Sequence, residues 1–132
     1  MNAKQFQAAA FLLRECEVAE LTGYAPGTIR KMIDNGVLHR VLPAGAVCAK
    51  FRKRQLAALC GLEMDAAAAQ EFAKAAQMLS EKEVTRWTGY SGHTLERIVA
   101  TGGLTFRRPA GAARGKFLKS EIAEMIGFPE MI

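Results

Sequence analysis

Displaced by 66 positions, residues 3–62 of this chain lie over residues 69–128 without a gap, and 23 of the 60 pairs are identical. About five identities would follow from composition alone. The clearest stretch sets EVAELTGYAPGT (17–28) over EVTRWTGYSGHT (83–94), and VLPAGAVCAKFRK (41–53) follows over RRPAGAARGKFLK (107–119). Two copies are too few for a stacked solenoid, so the pattern predicts two tandem units, residues 1–65 and 66–132.

Each copy carries the same order of elements. Phe6, Ala9, Ala10 and Leu13 recur as Phe72, Ala75, Ala76 and Leu79. Their i, i+3, i+4, i+7 spacing predicts a first helix over 3–13 and 69–79. A second helix places Val18 and Leu21, or Val84 and Trp87, inward. Ser80 and Glu83 have capping-box spacing at its start, where the first copy has only Arg14. Gly23 and Gly89 end it, because glycine accepts the left-handed conformation of a C-terminal cap. A third helix follows, opened by Pro26 near the first turn or by Ser91 as cap, with Ile29, Met32 and Ile33 or Leu95, Ile98 and Val99 inward. Gly36 and Gly102 stop it. Two short extended runs around Pro-Ala-Gly-Ala then predict a β-hairpin. A last helix near 54–60 and 120–126 closes the copy. The predicted fold is mainly α with small β-hairpins: two winged helix-turn-helix units, an internal pseudo-dimer within one monomer.

The segment EVAELTGYAPGTIRKMIDNGVL resembles the DNA-binding segment of MerR-type regulators and of small excisionase-like proteins. The resemblance rests on Val18, Ala19, Gly23, Pro26, Thr28, Ile29, Arg30, Gly36 and Leu38, and on Val84, Gly89, Ser91, Thr94, Leu95, Gly102 and Leu104. It covers roughly residues 15–60 and 81–126. It implies binding of double-stranded DNA. Two departures narrow what carries over. Residues 1–132 are expected to hold neither the coiled coil nor the effector region of MerR-type regulators, and Glu96 stands where the first copy has Arg30.

In such a helix the face opposite the apolar stripe enters the major groove. The outward residues are Gly27, Thr28, Arg30 and Lys31 in the first copy, and Gly92, His93, Thr94, Glu96 and Arg97 in the second, with Ser91 at the cap. Tyr24 and Tyr90 sit in the preceding turns, as packing rings whose hydroxyls can reach a phosphate. Net charge is +5, which alone decides nothing. Its distribution is more informative: ten of the eighteen lysines and arginines lie in or beside the hairpins. They are Arg40, Lys50, Arg52, Lys53 and Arg54, then Arg107, Arg108, Arg114, Lys116 and Lys119. Such clusters suit the phosphate backbone or minor groove. Because the outward faces differ, two non-identical half-sites are expected.

No nucleophile–base set, phosphate-binding glycine loop or metal-ligand spacing occurs, so neither enzymatic activity nor a cofactor, metal or small-molecule effector is expected. Cys16, Cys48 and Cys60 form no C-x-x-C pair and read as buried thiols of a cytoplasmic protein. No secretory signal or membrane span is visible. The functional expectation is a transcriptional regulator. The alternatives are an accessory factor of a mobile element, serving excision, conjugative-origin binding or packaging, and a protein–protein adaptor.

Overall fold

The computed structural model describes residues 1–128. The first half runs α1 (Ala3–Ala8), β1 (Leu12–Arg14), α2 (Glu15–Thr22), α3 (Pro26–Asp34), β2 (Arg40–Val41), β3 (Lys50–Arg52) and α4 (Lys53–Cys60). The second repeats it as α5 (Ala66–Lys74), β4 (Met78–Leu79), α6 (Glu81–Thr88), α7 (Gly92–Ala100), β5 (Phe106–Arg107), β6 (Lys116–Leu118) and α8 (Lys119–Ile126). The duplication read from the sequence is therefore also a structural one: each half is mainly helical around a small three-stranded antiparallel sheet, ordered β1-β3-β2 and β4-β6-β5.

Helix boundaries follow their chemistry. The Ser80 hydroxyl accepts from the Glu83 N–H, and the Glu83 carboxylate accepts from the Ser80 N–H. In the first half only the Glu17 carboxylate returns the favour, accepting from the Arg14 N–H at 2.9 Å. Gly23 and Gly89 close α2 and α6 with φ of 76° and 77°, where a β-carbon would strain the backbone. Ser91 caps α7 by accepting from the Thr94 N–H, and Pro26 opens α3.

The first helix is shorter than its spacing suggests. It ends at Ala8, or at Lys74 in the second half, and Leu13 and Leu79 lie on strands instead. Phe11, Leu12 and Leu13 are all buried, and one helical stripe cannot bury three consecutive side chains. An extended strand can, by pairing Leu13 with Phe51 and Leu12 with Arg52. The hairpin is correspondingly one part of a three-stranded sheet, with two or three residues in each strand.

The described residues form two cores, and the second is not confined to its half. One gathers Phe6, Leu13, Val18, Ile29, Leu38, Phe51 and Leu56. The other gathers Phe72, Leu79, Val84, Trp87, Leu95, Ile98, Phe117 and Ile122, and takes in Phe11 and Leu12 from the first half. Phe11 stacks on Trp87 with centroids 5.5 Å apart and an interplanar angle of 12°. Its N–H donates to the Trp87 carbonyl at 2.9 Å. Burying such a ring stabilises by about 2–3 kcal/mol, which here joins one half to the other.

Candidate nucleic-acid interface

The two halves meet through different surfaces. The first half contributes its sheet edge and hairpin; the second contributes α6, α7 and α8. Gly45, at the tip of the first hairpin, lies against the end of α7, where an added β-carbon would run into the Thr101 hydroxyl and the Arg97 carbonyl. Gly103 makes the matching allowance, since a β-carbon there would come within 2.6 Å of the Ala44 carbonyl oxygen. The Arg52 guanidinium donates to the carbonyls of Met125 (3.1 Å) and Glu124 (3.2 Å), placing a cation at the negative end of α8. Val41 and Ala46 pack on the second core.

None of these contacts has a counterpart. Gly111, which matches Gly45, has nothing within 4 Å of an added β-carbon. Val37 stands where the second half has Gly103 and is 55% exposed; Tyr24 is 49% exposed where Tyr90 is 4%. Leu59 is largely exposed where Met125 is covered. The halves are thus joined head to tail, not about a two-fold axis.

This seam sorts the predicted site residues. Gly27, Thr28, Arg30 and Lys31 are exposed together on α3, beside the half-exposed Tyr24. On α7, His93 and Arg97 are exposed, Ser91 is the exposed cap and Thr94 is half-buried. Arg40 is exposed on β2, whereas Lys50 is buried over the Tyr90 ring and Arg52 is tied to α8. Tyr90 is itself buried, and its hydroxyl meets no partner among the described residues. Burial pushes its pKa up to about 12. Arg107, Arg108, Arg114 and Lys116 stand exposed along the second hairpin, with the Arg108 Nε–H donating to the Ala112 carbonyl.

Two of the hairpin cations counted from sequence serve the fold instead. Lys53 and Lys119 are buried, each donating to two carbonyls at the end of the first helix of its half, α1 or α5. The thiols also differ from expectation: Cys16 and Cys48 are exposed and Cys60 is half-buried, because residues 16 and 48 fall on the outer side of α2 and in the hairpin rather than in either core.

Sequence reasoning missed Arg14, which lines one cleft with Lys50, Tyr90, Ser91, Thr94 and Arg97. No motif marks it, because its neighbours in that cleft are distant in sequence, Lys50 in its own half and Tyr90, Ser91, Thr94 and Arg97 in the other. Among the described residues no helix is long and apolar enough to cross a membrane, and no three His, Cys, Asp or Glu side chains converge as a metal site. No family model matches the chain, and no curated protein or solved structure matches it.

Proposed function

We propose that this chain is a double-stranded DNA-binding protein made of two winged helix-turn-helix units, whose second hairpin is the free wing. One observation carries the reading. At positions 41, 42 and 48 the first hairpin has Val, Leu and Cys; at the matching positions the second has Arg107, Arg108 and Arg114. The first hairpin lies against the other half of the chain, while in the second Arg107, Arg108, Arg114 and Lys116 are all exposed. Of the first set Val41 packs on the second core while Leu42 and Cys48 are exposed and uncharged; the second set concentrates positive charge. A polyanion is the partner that such a hairpin suits. The exposed polar faces of α3 and α7 supply the complementary groove-reading surfaces, with Arg30 and Lys31 on one and His93, Glu96 and Arg97 on the other. Within that class the chain is read as a transcriptional regulator, the resemblance to MerR-type and excisionase-like segments being the ground for it.

The test is a salt titration of duplex binding with wild type and an Arg107→Ala/Arg108→Ala double variant. Each lost phosphate contact lowers the slope of log K against log salt by about 0.9. The double variant is therefore expected to lose about 1.8 from the slope and to bind all sequences more weakly. Wild-type protein that shows no salt-sensitive binding to any duplex would overturn the reading in favour of a protein-binding adaptor.

A further inference from the structure

The cleft at the seam has a composition that neither half possesses alone. It encloses about 280 Å³ and is lined by Arg14 and Lys50 from the first half and by Tyr90, Ser91, Thr94 and Arg97 from the second. Three cations therefore face one space. Glu17 accepts from the Arg14 Nε–H at 3.2 Å, and Glu20 also acts on Arg14 through charge. Glu81, whose carboxylate stands over Gly92, is not part of the lining. The same space receives the start of α7, a nine-residue helix whose first N–H groups carry the positive end of its dipole.

Lys50 is the decisive member. Its side chain is 93% buried (7% relative exposure), its ammonium lies 5.1 Å from the Tyr90 ring centroid, and among the described residues no carboxylate or carbonyl accepts from it. Burial lowers its pKa. An ammonium on a buried stem, with no acceptor among the described residues, is free to take an anion in the cleft as its acceptor. Tyr90 lines the same cleft, and its hydroxyl is buried without a partner among the described residues. An ammonium beside a helix start and two arginines is the complement of a tetrahedral oxyanion.

We propose that the seam is a composite phosphate site, in which Lys50, Arg14 and Arg97 neutralise the charge and the first N–H groups of α7 take the oxygens. The inference deepens the DNA reading, in which the phosphate is a backbone phosphodiester. Its chemistry is shared with free phosphate, however, so it can be tested without DNA. Because residues from both halves are needed, occupying the site would also fix the seam.

The experiment follows the backbone amide resonances of residues 91–94 in the full chain as inorganic phosphate is added. Wild type is expected to show saturable shifts there. In Lys50→Gln the apparent dissociation constant should rise at least tenfold, and in Arg14→Gln about threefold. Lys4→Gln, a surface charge lost from α1, should leave it unchanged. Arg14 is exposed and outside either core, so its variant keeps the test decisive even if Lys50→Gln fails to fold. Shifts that do not saturate, or that weaken equally in Lys4→Gln and Arg14→Gln, would overturn the site. A duplex is then added as a second arm. Displacement of phosphate by duplex, with the same amides shifting, supports the backbone source. Saturable phosphate binding with no response to duplex leaves the site standing and removes the DNA reading.

Discussion

Lys53 and Lys119 do the same work 66 positions apart. The Lys53 ammonium donates to the Gln7 and Ala9 carbonyls at 2.8 and 3.0 Å, and that of Lys119 to Ala73 and Ala75 at 2.9 Å each. Each lies over a phenylalanine ring, Phe6 or Phe72. They supply the N–H groups that the end of a helix lacks, and so permit the first helix to stop early. Desolvation holds Lys53 down to about 8, against 10.5 for a free lysine, with Asp65 pulling weakly the other way. Between these values the unfolded chain binds the proton and the folded chain has released it, so stability rises with pH. The neutral amine keeps two N–H donors, enough for both carbonyls. Tyr90 acts in the opposite sense above pH 10, where the unfolded chain loses a proton that the fold retains. Urea unfolding should therefore show stability increasing from pH 8 to 10. Lys53→Met should reduce that increase, leaving the part contributed by Lys50, and cost about 1–2 kcal/mol at pH 7; an unchanged pH slope would refute the assignment. The sequence carried a trace of these lysines, since positions 53 and 119 agree while 52/118 and 54/120 do not. Lysine is seldom buried, and for that reason both read as hairpin charge.

Among the elements, those defined by local rules were legible and those defined by pairing were not. α2 and α6 are fixed by a carboxylate returning to the cap and by a left-handed glycine, both visible as residue types at fixed spacing. β1 and β4 have three and two residues, too short for alternation to register. Only β3 or β6, some 40 residues later, makes them strands. The hairpins show the same division. Their Pro-Ala-Gly-Ala tips are identical in sequence, and Gly45 and Gly111 share a φ of 92°. Among the described residues only the first tip meets another element. Gly45→Ala and Gly111→Ala should thus suffer equal backbone strain, and the former should cost about 1–3 kcal/mol more through overpacking against α7. Equal losses in thermal unfolding would show that the first tip does not bear on α7.

At the scale of the whole molecule, the head-to-tail seam sets how two groove-reading helices would lie on DNA. A two-fold pair reads an inverted repeat; units related head to tail read their motifs in the same direction. Selection from random duplexes should accordingly recover two non-identical motifs as a direct repeat, and recovery of an inverted repeat would contradict the seam. The same asymmetry argues against further polymerisation. A heterologous contact can in principle be repeated by the next chain. Here, however, Arg107 and Arg108 occupy the places where Val41 and Leu42 border the second half.

The sequence by itself determined the duplication, the order of helices and hairpin in each copy, the caps and the apolar stripes. All of these depend on residues a few positions apart, or on comparing one copy with the other. Tertiary structure decided which hairpin is free, which cations are structural, and that Arg14, Lys50 and Arg97 share a cleft. The physical reason is that two nearly identical surfaces can be joined symmetrically or head to tail. The choice rests on the packing of Phe11, Gly45 and Gly103 against the opposite half, and no periodicity within one copy encodes it.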